Sequence, residues 1–257
     1  LMKHLRKHIS FLLLFALVLG MLSGCTTPEP APAPSEPDKA DISAGVQLPA
    51  QSDSDSQLQS IVSRAPGSPE KKDYTIMVYM IGSDLESQGG YASSDLLEMV
   101  NSGMYGQNNN LVVYTGGTSS WELDIRSDVN TVFALNRQGN MLEEVAYTAM
   151  PCNMGAPETL SDFLVYTYEN YPAEQYGLIF WDHGGGPLYG FGSDELYGYD
   201  GLGIWELQEA LNNSYFAYEP LEFIGFDACL MASLEVACAL APYARYMVAS
   251  QEVEPGS

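Results

Sequence analysis

The chain has 257 residues and carries 10 Lys and Arg against 33 Asp and Glu, a formal charge of −23 at pH 7. A field of that sign repels nucleic acid and anionic lipid and attracts cationic ligands, so a nucleic-acid partner is not expected. Four cysteines and three histidines, without a C-x-x-C, leave too few soft ligands for a structural zinc site.

The chain order begins with a leader. Lys3, Arg6 and Lys7 form a basic start, Phe11–Leu22 is apolar, and Leu22-Ser23-Gly24-Cys25 follows. The apolar stretch is short for a spanning helix and small residues close it, so residues 1–24 read as a signal peptide. The cysteine at the cut point resembles the lipobox of bacterial lipoproteins. That resemblance implies acylation of Cys25, export, and a lipid anchor on the outward side of the bacterial cell membrane. Loss of Lys3, Arg6 and Lys7 would take the charge from −23 to −26. Residues 25–72 read as a Pro/Ser/Asp-rich disordered tether, with Pro28, Pro30, Pro32, Pro34 and Pro37 spaced by small or acidic residues. Residues 73–257 are long enough for one folded domain.

Within that domain Tyr74–Ile81 is a β-branched and aromatic run, a buried strand. Ser94–Val100 reads as a helix capped by Ser93 or Ser94, and Asn110–Thr115 as a second strand. Glu122–Tyr147 alternates apolar with polar residues around the turn 136–140 and predicts a small antiparallel hairpin insertion. Pro157–Tyr168 is a helix with Leu160, Phe163, Leu164 and Tyr168 on one face. Tyr176–Trp181 is a third core strand, Ile204–Leu211 a helix, Leu221–Phe226 a fourth strand, Ser233–Leu240 a helix, and Tyr246–Ala249 opens a fifth strand. The alternation predicts an α/β fold with a mostly parallel sheet covered on both faces. Gln251–Ser257 reads as a loop with no closing element, and Leu1 is not methionine, so a missing C-terminal portion is expected.

Ligands bind such sheets outside the carboxyl ends of the strands. His183 lies just past the third core strand and Cys229 just past the fourth, and consecutive strands tend to be neighbours. Beyond the leader His183 is the only histidine, so imidazole chemistry within these residues falls to it. An imidazole beside a thiol can take its proton and return one to a leaving amine. The amides of Gly184 and Cys229 are the candidate donors to a tetrahedral oxyanion. Asp227, two residues before the thiol, would raise its pKa unless it serves a pocket. There it would pair with a guanidinium, or less strongly an ammonium. Each residue alone has an ordinary reading: His183 as a loop hydrogen-bonder, Cys229 as a core thiol, Asp227 as a turn cap. Their placement at two adjacent strand ends favours the joint reading. Cys238 is expected in a helix core and Cys152 in an exposed loop.

Trp181-Asp182-His183-Gly184-Gly185-Gly186 and Phe226-Asp227-Ala228-Cys229-Leu230-Met231-Ala232-Ser233-Leu234-Glu235 resemble the two catalytic signatures of the clostripain family of bacterial cysteine peptidases. Met80-Ile81-Gly82-Ser83-Asp84-Leu85-Glu86 resembles that family's opening motif. The resemblance implies a caspase-like α/β/α sandwich, shared with legumain and gingipain. It also implies an endopeptidase with His183 as general acid/base, Cys229 as nucleophile and Asp227 as the acidic residue of the P1 pocket. Peptide or protein substrates with basic P1 residues follow. Family members are often cut after a basic residue between the histidine and the cysteine. Gly184–Ala228 holds no Lys or Arg, so no such cut is expected here. Processing at Arg64, Lys71, Lys72 or Arg137 stays open.

The residues require no cofactor. Calcium dependence is a family trait, and Asp194, Glu195 and Asp200 follow His183, but their spacing is not that of an EF-hand and reads as a solvated acidic loop. Two other readings compete. A surface-binding module could retain the fold without catalysis. An α/β-hydrolase esterase uses His-Gly-Gly-Gly in its oxyanion hole, but it also needs a Gly-x-Ser-x-Gly elbow and a second histidine that these residues lack.

Overall fold

A computed structural model of the chain describes residues 57–60, 70–102, 108–136 and 141–255. The chain divides into units 1–45 and 46–257, and every described residue lies in the second. The leader, Cys25, Arg64 and the turn 137–140 lie outside the described residues.

The chain order is β1 (Leu58–Ser60), β2 (Lys72–Ile81), α1 (Ser83–Gly89), α2 (Tyr91–Asn101), β3 (Asn109–Gly116), β4 (Thr131–Leu135) and β5 (Leu142–Thr148). It continues with α3 (Pro157–Asn170), β6 (Ala173–Trp181), α4 (Gly186–Tyr189), β7 (Phe191–Asp194), β8 (Asp200–Leu202), α5 (Ile204–Asn212), β9 (Leu221–Asp227), α6 (Leu234–Leu240) and β10 (Ala244–Val248). One eight-stranded sheet runs β1-β5-β4-β3-β2-β6-β9-β10. The strands from β3 through β2, β6 and β9 to β10 pair parallel, while β3-β4, β4-β5 and β5-β1 pair antiparallel. The predicted hairpin is therefore β4–β5, but it extends the main sheet rather than standing apart. Residues 122–130 are not strand; the Glu122 amide is taken by the buried Glu86 carboxylate at 2.7 Å. The separate small sheet is β7–β8, which the sequence reading did not foresee.

Side chains alternate across a strand, and both faces of the central strands are apolar. Met77, Tyr79, Val112, Tyr114, Leu178, Phe180, Ile224 and Phe226 pack on one face against Leu160 and Phe163 of α3, Leu207 and Leu211 of α5, and Val236 and Leu240 of α6. Val78, Met80, Leu111, Val113 and Trp181 pack on the other with Ala92 and Leu96 of α2. This is the α/β/α layering expected. The second layer is thinner, and Tyr246 and Val248 of β10 remain exposed.

Local chemistry sets the helix ends. Pro157 starts α3 at a position where its missing N–H costs nothing. The Ser233 hydroxyl accepts the Val236 amide at 3.2 Å and caps α6. The predicted Ser93/Ser94 cap is incorrect. The helix begins earlier, after Gly90, whose φ of +63° closes α1 and opens α2. Ser93 is inside α2 and gives its amide and hydroxyl to Glu86 instead.

Three further expectations are corrected. Leu58–Ser60, assigned to the tether, pairs antiparallel with β5, and the Gln57 amide donates to Asp162 Oδ2 at 2.8 Å. Cys238 is exposed, not core, because the inward stripe of α6 is Val236 and Leu240, four residues apart. Cys152 is buried, with Sγ 2.6 Å from Gln57 Oε1.

Candidate active site

Strands β6 and β9 are hydrogen-bonded neighbours, and their register sets Trp181 opposite Asp227. His183 and Cys229 each lie two residues beyond that matched pair, at the carboxyl edge of the sheet. Both line one cleft of about 300 Å³, together with Leu85, Tyr91, Asp95, Trp181, Asp182, Asp227, Ala228, Val253, Glu254 and Pro255. The cleft therefore sits where an open parallel sheet binds its ligands.

The two loops are locked by close backbone contact. A Cβ at position 184 would run into the Cys229 carbonyl oxygen, so only glycine fits there. The Gly185 amide donates to Gly190 O at 2.8 Å and the Gly192 amide to His183 O at 2.9 Å, which ties the Gly-Gly-Gly turn to β7. Among the described residues the amides of Gly184 and Cys229 make no intramolecular hydrogen bond. They remain available as donors beside the thiol. Cys229 Sγ itself accepts the Glu254 amide at 3.2 Å. The segment carrying Glu254 is held alongside by Leu230 N–H to Glu252 O at 3.1 Å and Ala232 N–H to Ser250 O at 2.8 Å.

The imidazole is held from the first helix. His183 Nε2 lies 2.8 Å from Asp84 Oδ1, and both side chains are about half-exposed. The preceding residues pair as well: Ser83 Oγ donates to Asp182 Oδ1 at 2.6 Å, and both residues are buried. Ser83 adopts φ 49°, a left-handed conformation unusual for serine, and the same hydroxyl accepts the Leu85 amide at 3.2 Å. Asp182 Oδ2 has no protein hydrogen-bond partner. Burial pushes the Asp182 carboxyl up to about 7, against the opposing pull of the Ser83 hydroxyl and of His183.

Besides the buried Asp182, three carboxyl residues line the cleft from three elements: Asp95 on α2, Asp227 at the end of β9, and Glu254 in the C-terminal segment. Partial burial raises Asp227, and Asp95 raises it further. Partial burial and then Asp227 raise Glu254. Burial raises Asp95 too, while the Trp181 indole, donating to Asp95 Oδ2 at 2.6 Å, works against it. Neighbouring carboxyls that disfavour one another's ionisation make a site that gains by taking a cation.

The acidic residues that follow His183 are engaged in hydrogen bonds to neighbouring loops. Asp194 is buried and spends Oδ2 on the Met154 amide at 2.8 Å and Oδ1 on the Leu196 amide at 2.9 Å. Glu195 Oε2 accepts the Ser119 amide at 2.9 Å, and Asp200 Oδ2 accepts from Asn153 at 2.6 Å. Among the described residues no group of three or more His, Cys, Asp or Glu is placed to hold a metal ion. No helix among them is long and apolar enough to cross a membrane.

The sequence model of the clostripain family matches residues 78–257. The chain belongs to the clostripain family. It is 26% identical over 208 residues to clostripain of Hathewaya histolytica, covering 70% of this chain and 38% of that protein. It is similar to the solved structure of a secreted C11 cysteine protease of Bacteroides thetaiotaomicron in complex with an irreversible peptide inhibitor. That likeness has a TM-score of 0.59 and 28% identity, over 72% of this chain and 50% of that one. An inactive zymogen C11 protease of Parabacteroides distasonis is similar at a TM-score of 0.55 and 28% identity, over 73% of this chain and 51% of that one. The chain spans about half the length of these solved relatives and less of clostripain. The clostripain family and the caspase-like α/β fold expected from the signatures are thus both found.

Sequence reasoning brought His183, Asp227 and Cys229 to one cleft, with Gly184 packed against the Cys229 carbonyl. It did not single out Asp84, Ser83, Asp95 or Glu254. Asp84 and Ser83 lay inside the quoted opening motif of the clostripain family, which was the available signal.

Proposed function

We propose that this chain is a cysteine endopeptidase that cleaves after arginine, and less strongly lysine. The observation that carries the reading is the shared cleft: one imidazole and one thiol at adjacent strand ends, with three carboxyls beside them. Membership of a cysteine peptidase family supports it. In this reading His183 takes the Cys229 proton, and the thiolate attacks the scissile carbonyl carbon. With Nε2 held by Asp84, Nδ1 is the nitrogen that serves the thiol. The C=O pair moves to oxygen, where the Gly184 and Cys229 amides donate hydrogen bonds; one such donor contributes about 3–4 kcal/mol. The C–N bond then breaks, His183 gives its proton to the departing amine, and a thioester remains. Water, deprotonated by His183, attacks the thioester and releases the carboxylate and the thiol.

Asp227 is the pocket residue that pairs with the P1 guanidinium, and Asp95 and Glu254 support it. Export and a lipid anchor on Cys25 are part of the proposal. They rest on the basic-apolar-cysteine leader, and the similar Bacteroides thetaiotaomicron protease is a secreted one. The inferred location is the outer side of the cell membrane, facing peptide or protein substrates.

The test offers Arg- and Lys-amide fluorogenic peptides to the purified chain, with and without a thiol alkylator, and repeats it with Cys229→Ala. Arg cleavage that both treatments abolish supports the peptidase. Ester hydrolysis surviving Cys229→Ala favours the esterase. Silence from a well-folded sample favours a binding module that retains the fold.

A further inference from the structure

Next to the cleft, on α4 and at the start of α6, lies a surface whose chemistry is the opposite of the carboxyl-lined one. Leu188 and Tyr189 of α4 are 85% and 83% exposed, Leu234 at the start of α6 is 76% exposed, and Leu230 is 40% exposed. The segments that carry them are neighbours. A Cβ at Gly186, the first residue of α4, would meet the Leu230 carbonyl oxygen at 3.1 Å, and α4 packs on α6. Leu230 directly follows the thiol and adopts φ 64°, a region leucine rarely enters. Clustered exposed apolar side chains of this size mark interaction surfaces more often than chance.

We propose that Leu188, Tyr189, Leu230 and Leu234 form the subsite for the leaving-group side of the substrate, accepting bulky apolar residues directly after the cut bond. The inference rests on the peptidase reading above. The direction of the bound chain follows from the chemistry. The residue on the acyl side sends its cation toward Asp227, Asp95 and Glu254. The departing nitrogen must lie against the imidazole that protonates it. From His183 the backbone turns through Gly184 and Gly185 directly into α4. An extended peptide advances about 3.3 Å per residue, so its first two residues beyond the cut reach α4 and the neighbouring Leu230. None of the four side chains carries charge, in a chain whose net charge is −23. The preferred substrate is therefore basic before the bond and apolar after it.

The test measures kcat/KM on peptides with Arg before the bond and either Leu-Leu or Ser-Gly after it. An arginine methyl ester, whose leaving group is methanol, is the reference for each protein. The expected wild-type ratio of apolar to polar peptide is about tenfold. Leu188→Ser and Tyr189→Ser each bring that ratio toward one, and both residues are exposed enough that folding tolerates the change. Tyr218→Ser, exposed and just before the opposite end of β9, leaves the ratio where it was. Equal wild-type rates on the two peptides, or an unchanged ratio in both α4 variants, overturns the subsite. Such a result with a wild-type dimer that Leu188→Ser dissociates assigns the surface to a second copy instead. Failure to cleave even the ester overturns the peptidase reading rather than the subsite alone.

Discussion

Asp84 and His183 meet at 2.8 Å, and the residues just before them, Ser83 and Asp182, meet at 2.6 Å. Two consecutive residues at the start of α1, just past β2, thus grip two consecutive residues just past β6. The exposed pair sets the orientation of the imidazole, and the buried pair sets where the backbone carrying it can go.

Asp84→Asn preserves the shape of that grip but removes its charge. The expected result is a loss of about a hundredfold in kcat/KM with the melting temperature little changed, because ring misplacement of an ångström is felt on that scale. A pH–rate profile taken alongside should also move. An unaltered profile and an unaltered rate would leave Asp84 without a positioning role.

Asp182 predicts a stability that depends on pH. Burial raises its carboxyl to about 7, against about 3.9 in an unfolded chain. The folded state therefore holds this proton more tightly. Its contribution to stability is fully present below about pH 4 and is lost as pH rises to about 7, by at most about 4 kcal/mol. Melting curves from pH 5 to 8 should fall for the wild type and flatten for Asp182→Asn. Parallel curves would show that the carboxyl does not titrate in that window.

Gly184→Ala places a methyl group against the Cys229 carbonyl. The loops must separate, at about 1–3 kcal/mol for an overpacked contact. The expected outcome is a modest drop in melting temperature and a drop of at least about a hundredfold in kcat/KM. Full activity would mean that the contact can open without disturbing the site.

Asp227→Asn should weaken cleavage after Arg by about tenfold to a hundredfold, the range for losing one charged hydrogen bond. Folding should be nearly untouched, because the Asp227 side chain reaches solvent even though its carboxyl is partly screened inside the cleft. Because Asp95, Asp227 and Glu254 are all raised, they ionise at higher pH than ordinary carboxyls. Benzamidine affinity, measured by calorimetry, should therefore strengthen as pH rises from about 4 to 7. Affinity independent of pH would remove the carboxyls from the pocket.

The central strands were readable because layers on both faces force Tyr74–Ile81 and Tyr176–Trp181 to be almost wholly apolar. Helix α3 was readable because Pro157 marks its start and Leu160, Phe163 and Leu164 repeat at helical spacing. The cleft followed from counting past two strand ends. Helix α1 was not readable: its seven residues carry one large apolar side chain, Leu85. What fixes it is Ser83 against Asp182, 99 positions away, which no periodicity encodes. Leu58–Ser60 escaped notice for a related reason. Its backbone bonds are supplied by β5, while its own composition is polar.

The seating of Gly184 against the Cys229 carbonyl has a consequence for how this centre fails. His183 and Cys229 ride on one mechanical unit, so heat or denaturant that displaces the sulfur carries the ring along. The change of the Cys229 alkylation rate to that of an unfolded thiol and the loss of turnover should then coincide in a single cooperative step.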